Sequence, residues 1–256
     1  MKADNEVVKG SSAPGIDGRD GCLPVLMIGH HAAANPSHVG RWLLDNGIDL
    51  DIRVPRLGDP LPETMEGHSG VVIFGGHMSA TEPVDYMKRE IEWLGVPLEE
   101  EKPIFGICLG AQMLAMHLGG EVRFHPEGHV EIGYHEIRPT EEGGRLVKWP
   151  SHMFHWHREG HSLPSEAVQL ARSETFENQA FRYGKRSFGV QFHPEASLIM
   201  INRWTTKAAQ RLALPGAKPR LQQLDDHLEH GPEVRRWLAD FLRHWSGLLM
   251  PERAPR

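Results

Sequence analysis

Pro103-Ile104-Phe105-Gly106-Ile107-Cys108-Leu109-Gly110-Ala111-Gln112 decides the fold. A short apolar run enters Gly-x-Cys-x-Gly, and an apolar helical stretch, Leu109 to Leu118, leaves it. This pattern predicts a sharp strand-to-helix turn with a cysteine at its apex, the elbow that presents a nucleophile at the carboxyl end of a central strand. The flanking glycines permit a turn too tight for side chains, and the helix N-terminus behind the sulfur favours a thiolate.

The pattern repeats on either side of this turn. Pro24–Gly29, Ile48–Val54, Gly70–Phe74 and Lys102–Ile107 read as strands. Val39, Trp42 and Leu43 before Asn46-Gly47, and Val84, Met87, Ile91 and Leu94, fall at helical spacing. Strands alternating with helices of this length predict a flavodoxin-like, doubly wound, mostly parallel sheet with helices on both faces. Between Gly120 and Gly189 short alternating segments separated by turns predict an antiparallel excursion on the same sheet, and Ser187–Phe192 returns as a core strand. Two helical stretches follow, Ala196–Leu212 and about Pro219–Trp245; the second carries an apolar stripe from Leu221 to Trp245. Residues 1–23 read as a flexible polar lead-in, and 24–250 as one domain with a helical extension at about 215–248.

Composition narrows the function classes. The chain has 256 residues, 39% hydrophobic, with a formal net charge of -6. A mildly acidic balance gives no electrostatic reason to hold nucleic acid or an anionic membrane. No apolar run approaches the roughly 20 residues of a spanning helix. Two cysteines, Cys22 and Cys108, make no disulfide framework, so a reducing cytoplasm is the expected compartment. Cys22 reads as an ordinary thiol. The chain has 17 histidines, with His155 and His157 positioned to share a strand face, but no third ligand at a standard spacing is evident and no metal or other cofactor is expected.

A cysteine nucleophile needs a base, and the base an orienting group. Gly189-Val190-Gln191-Phe192-His193-Pro194-Glu195 supplies both. Residues two apart in an extended segment point the same way, and Pro194 biases His193 toward extended geometry. Cys108, His193 and Glu195 are therefore the expected catalytic triad. An oxyanion formed at the elbow needs aimed donors. The N–H of Leu109 is one; the N–H of Gly76, in the turn after the third strand, is the natural second. Gly75 and Gly76 let backbone approach closely.

FGGHMS (74–79), GICLGAQ (106–112) and GVQFHPE (189–195) together strongly resemble the class I glutamine amidotransferase family, over roughly residues 24 to 200. The resemblance implies attack of Cys108 on the glutamine side-chain amide, a γ-glutamyl thioester, and proton transfer by His193 with release of ammonia. It implies that Gln112 bonds the amino acid end of glutamine, and that Glu131–Tyr134, with Gly133 and Tyr134 foremost, and His155–Glu159, including His157 and Arg158, complete the substrate pocket. Two positions depart from the family pattern: His77 stands where a proline is common, and Arg158 where a glycine lies near the substrate. Either Arg158 contacts a carboxylate of the substrate or it pairs with Glu159.

No phosphate-binding loop and no acceptor-activating domain is visible. The expected partner is therefore a glutamine or γ-glutamyl substrate, with a separate synthetase to use the ammonia. Hydrolysis of other γ-glutamyl compounds is the alternative, and a non-catalytic binding protein that keeps the fold is a third reading.

Overall fold

The computed structural model describes residues 7–8, 23–31 and 37–249. Its strands are β1 (Val7–Val8), β2 (Val25–Ile28), β3 (Leu50–Arg53), β4 (Gly70–Ile73), β5 (Ile104–Ile107), β6 (Val122–Phe124), β7 (Glu131–Glu136), β8 (Arg138–Pro139), β9 (His152–His157), β10 (Glu159–His161), β11 (Val168–Arg172), β12 (Ala180–Tyr183) and β13 (Ser187–Val190). Its α-helices are α1 (Ser37–Asp45), α2 (Asp85–Trp93), α3 (Gly95–Glu99), α4 (Leu109–His117), α5 (Glu141–Leu146), α6 (Leu198–Lys207) and α7 (Arg220–Gly247).

Nine strands form one sheet in the order β1-β3-β2-β4-β5-β13-β12-β11-β8. The central five, β3-β2-β4-β5-β13, are parallel. β2, β4, β5 and β13 are buried at every position, which is why their sequences read as continuous apolar runs instead of alternating ones. Two apolar clusters sandwich the sheet. One joins Val39 and Leu43 of α1 to Trp237, Phe241 and Trp245 of α7. The other joins Met87 and Trp93 of α2 to Leu109, Met113 and Leu114 of α4. The doubly wound α/β architecture expected from the sequence is the one observed.

Three details differ from the sequence reading. The antiparallel excursion divides: β12, β11 and β8 extend the main sheet, but β7 pairs with β9, and β6 with β10, in separate two-stranded ladders. Within the expected flexible lead-in, Val7–Val8 pair antiparallel with Asp51 and Leu50; Cys22 lies outside the described residues. The apolar stripe of α7 packs chiefly in its second half, with Leu224 half-buried against the core in the first. Leu221 and Leu228 are exposed, while Gln223 and His227 are buried in the first half of the helix. Pro232 falls between the two halves.

Candidate active site

The elbow is forced by its neighbours. A Cβ on Gly106 would lie 2.7 Å from the Gly110 carbonyl carbon, and one on Gly110 would lie 2.2 Å from the Ile73 oxygen. Only glycine fits either position, and between them Cys108 takes φ 50°, ψ −104°. That conformation is rare for a residue with a side chain and costs on the order of 1–3 kcal/mol. The Cys108 N–H donates to the Val190 carbonyl at 2.7 Å, and its carbonyl accepts from Gln112 N at 3.0 Å, so strand and helix both hold the strained residue. Strand β13, parallel to β5, delivers the second constellation. Val190 lies opposite Ile107, and the chain then crosses to His193 and Glu195.

His193 Nδ1 lies 2.8 Å from Glu195 Oε1, and both side chains are buried. His193 N–H donates to the Phe154 carbonyl at 2.7 Å, which fixes the backbone beneath the ring. Burial alone would lower the imidazole pKa, but the Glu195 carboxylate and the Cys108 sulfur beside it outweigh that and raise it to about 10. Trp204 meets the imidazole edge to face at 5.0 Å between ring centroids. The structure thus brings Cys108, His193 and Glu195 together, with His193 between the sulfur and the carboxylate.

Gly75 and Gly76 pass close to this group. A Cβ on Gly75 would lie 2.8 Å from His193 Cε1 and 3.3 Å from Cys108 Cβ; one on Gly76 would lie 2.8 Å from Leu109 Cδ2. Gly76 and Leu109 therefore adjoin at the elbow. Their support comes from His30, just after β2, a position that reads in the sequence as a simple loop at the Cys108 edge of the sheet. His30 is buried, with Nε2 3.0 Å from Glu90 Oε2 and Nδ1 3.3 Å from the Gly75 carbonyl. His77 stacks on His31, and burial followed by nearby Arg56 lowers its pKa.

Two cavities meet at the elbow. A narrow pocket of about 30 Å³ is lined by Cys108, Leu109, Gln112, His157 and Arg158. A wide cavity of about 970 Å³ is lined by His193, Glu195 and α6. Gly76, His77, Trp156 and Arg211 border both.

The remaining expected pocket residues divide. Gln112, His157 and Arg158 line the narrow pocket. Gln112 Nε2 donates to the Glu159 carbonyl at 2.9 Å and to Gln191 Oε1 at 3.1 Å, so these donors are already engaged within the protein. Arg158 lies over the Phe124 ring at 5.6 Å and does not pair with Glu159, whose carboxylate accepts instead from Ser79. Gly133 and Tyr134 line neither cavity. Tyr134 Oη lies 2.7 Å from His227 Nδ1 of α7, and a Cβ on Gly133 would lie 2.7 Å from Lys218 and 3.1 Å from Gln223.

The expectation of no third metal-capable ligand beside His155 and His157 is corrected. Register places Glu131 opposite His157, with Glu131 Oε2 3.3 Å from His155 Nδ1 and 3.0 Å from His157 Nε2. The three groups could hold a metal ion. Hydrogen bonds already engage the carboxylate, however: Ser173 and Gln179 each donate to it at 2.6 Å.

A model of the family described as glutamine amidotransferase class-I matches residues 37–201. A subunit of the glutamine-hydrolyzing GMP synthase of Thermoplasma volcanium is 32% identical over 167 residues, covering 64% of this chain and 79% of that protein. The glutamine amidotransferase-like protein YfeJ of Salmonella typhimurium is 30% identical over 201 residues, 75% of this chain and 83% of that one. Among solved structures, a glutamine amidotransferase from Methylobacillus flagellatus superposes with a TM-score of 0.84 at 28% identity, covering 91% of this chain and 98% of its own. The chain belongs to the class I glutamine amidotransferase family.

Proposed function

We propose that this chain hydrolyses the side-chain amide of glutamine through a γ-glutamyl thioester on Cys108, with His193 as general base and acid and Glu195 as its orienting carboxylate. The observation that carries the reading is the 2.8 Å contact between His193 Nδ1 and Glu195 Oε1 beside a cysteine held at φ 50°. With Nδ1 committed to Glu195, the other ring nitrogen is left to serve the sulfur and the departing nitrogen. Cys108 sulfur attacks the γ-carbonyl carbon. The N–H groups of Leu109 and Gly76 receive the oxyanion. His193 gives its proton to the leaving nitrogen, and ammonia departs. Water, relieved of a proton by His193, then attacks the thioester; glutamate leaves and the sulfur is regenerated.

The relatives named as GMP synthase subunits support a further part of the reading, that the ammonia feeds a separate synthetase. A reducing, cytoplasmic setting, which keeps Cys108 a free thiol, belongs to the same reading. A second reading, hydrolysis of larger γ-glutamyl amides, is favoured by one observation: the cavity on the His193 side is far wider than ammonia requires.

Ammonia and glutamate release from glutamine by the isolated chain tests the proposal. Wild type should produce both in equal amounts and Cys108→Ala neither. Equal release by Cys108→Ala would end the thioester reading.

A further inference from the structure

The oxyanion site depends on the direction of one peptide bond. The Gly75 carbonyl and the Gly76 N–H belong to the same planar trans unit, so they point in opposite directions. Whatever holds the carbonyl aims the N–H. Two glycines in succession let that unit rotate at little steric cost, so the turn does not fix its own direction. The Gly76 N–H makes no hydrogen bond to backbone among the described residues, and Gly76 borders both cavities at the elbow. The Gly75 carbonyl does have a partner: His30 Nδ1, at 3.3 Å.

The neighbours of His30 place it for this contact. Gly29 before it donates to the Arg53 carbonyl at 2.9 Å, which holds the chain to the sheet as β2 ends. A Cβ on Gly76 would lie 3.2 Å from His30 Cβ, so His30 packs directly on the turn. Its Nε2 lies 3.0 Å from Glu90 Oε2, and both side chains are buried. A carbonyl oxygen only accepts, so Nδ1 carries a proton. Nε2 shares a second proton with the Glu90 carboxyl group. Without Glu90 a neutral ring can move its one proton to Nε2 and turn a lone pair on the Gly75 oxygen; Glu90 therefore sets the tautomer. Glu90 stands on the core-facing side of α2, between the buried residues Met87 and Trp93. Its Oε1 has no hydrogen-bond partner among the described residues. For stability alone such a pair is a poor device, since well-packed apolar side chains serve as well. Its second ring nitrogen, on Gly75, is what apolar side chains would not supply.

We propose that His30 and Glu90 are positioning residues for the oxyanion hole: Glu90 keeps a proton on His30 Nδ1, that N–H holds the Gly75 carbonyl, and the Gly76 N–H is thereby aimed at the oxyanion formed when the Cys108 sulfur adds to the γ-carbonyl. The inference rests on the thioester chemistry proposed above. As the S–C bond forms, the π electrons of the γ-carbonyl move to its oxygen. Collapse of that oxyanion breaks the C–N bond and expels the nitrogen with the proton from His193. The Leu109 N–H needs no outside support, because α4 fixes it as the first residue of the helix. The Gly76 N–H is held only through the Gly75 carbonyl. Loss of the pair therefore weakens binding of the oxyanion and leaves the reactivity of the sulfur as it was.

The test separates the oxyanion step from the nucleophile. Alkylation of Cys108 by iodoacetamide, followed on the peptide that contains it, is a displacement at a saturated carbon and forms no oxyanion. The double variant His30→Leu, Glu90→Leu removes both polar groups together and leaves no buried charge unpaired, so it should fold as wild type does. Its kcat for glutamine should fall about 10–100-fold, up to the loss of a whole oxyanion donor, with KM within about threefold of wild type. Its rate of Cys108 alkylation should stay within about twofold of wild type, since the sulfur is untouched. If thermal unfolding shows this variant to be misfolded, Glu90→Leu alone should lower kcat about tenfold. Glu90→Gln, whose amide can donate to Nε2 and so keep the proton on Nδ1, should recover most of that loss. Wild-type kcat in the folded double variant, or in Glu90→Leu, overturns this inference and leaves the thioester chemistry standing. A fall in kcat matched by an equal fall in alkylation overturns it too, because the pair would then act on the sulfur. No release of ammonia by wild type overturns the thioester reading and this inference together.

Discussion

The side-chain amide of Gln191 donates to the Cys108 sulfur at 3.6 Å, and its carbonyl accepts from Gln112 at 3.1 Å. The Gln112 amide also donates to the Glu159 carbonyl, which lies 3.1 Å from His157 Nδ1. The nucleophile is thus tied through two buried glutamines to Glu159, at the start of β10 beside the narrow pocket. Gln191 is a positioning residue: its amide nitrogen donates to the sulfur and its amide oxygen accepts from Gln112.

A hydrogen bond to a charged group contributes about 1.5–3 kcal/mol, or roughly 10–100-fold in rate if it is made mainly in the transition state. Gln191→Leu should therefore lower kcat by that factor with a smaller change in KM. Gln191→Glu, which sets a negative charge against the sulfur, should slow alkylation of Cys108 at neutral pH more than Gln191→Leu does. Equal alkylation rates in wild type and both variants would remove Gln191 from the account.

His193 is held protonated against its burial by Glu195 and the Cys108 sulfur, with a pKa of about 10. Removing the carboxylate removes a stabiliser of the imidazolium, so the pKa must fall. In the pH profile of kcat/KM, Glu195→Gln should move the alkaline limb to lower pH. His193→Ala should lower kcat by about 10²–10⁴-fold, the usual contribution of a positioned acid-base group, and Glu195→Ala by less. An alkaline limb that stays in place in Glu195→Gln would deny Glu195 its orienting role.

Gly75 separates activity from folding. A methyl group there would lie 2.8 Å from His193 Cε1 and 3.3 Å from Cys108 Cβ. Gly75→Ala should cost about 1–3 kcal/mol of stability, the usual scale of overpacking, and reduce kcat at least tenfold because the two colliding groups are those that react. Wild-type kcat in Gly75→Ala would show that the triad geometry is looser than described.

Asp51 anchors the edge of the central sheet at acid pH. Burial would raise its pKa, but hydrogen bonds from His68 and Arg53 bring it down to about 2. A depressed carboxylate stabilises the fold above its unfolded pKa of 3.8, and that stability is lost as pH falls toward about 2. Asp51→Asn should lower Tm at neutral pH and flatten the decline of Tm between about pH 4 and 2. An acid arm as steep as that of wild type would show that other carboxylates control it.

The buried parallel strands and the elbow were legible because each is written locally: apolar runs ending in glycine, and Gly106 and Gly110 around Cys108. The pairing of His193 with Glu195 was legible because both lie in one extended segment. What escaped was set by contacts distant in sequence. Glu131 meets His155 and His157 only through the register of β7 against β9. His30 reaches Glu90 and Gly75 across the sheet edge. Tyr134 turns to His227, a buried polar residue inside an expected apolar stripe, and Gly133 packs under Lys218 and Gln223. Arg211 falls within the expected helical stretch Ala196–Leu212, but α6 ends at Lys207 and Arg211 lies in a short 3-10 turn after it, where it borders both cavities.

The proposed chemistry stands or falls on Cys108 as the nucleophile toward a γ-glutamyl carbonyl. The most direct measurement is peptide mass mapping after inactivation by a glutamine-analogue diazo-ketone, with and without excess glutamine. One adduct per chain is expected, on Cys108 and not Cys22, forming in step with the loss of glutaminase activity and slowed by glutamine. Complete inactivation with the adduct on Cys22 or another residue, and Cys108 unmodified, would contradict it.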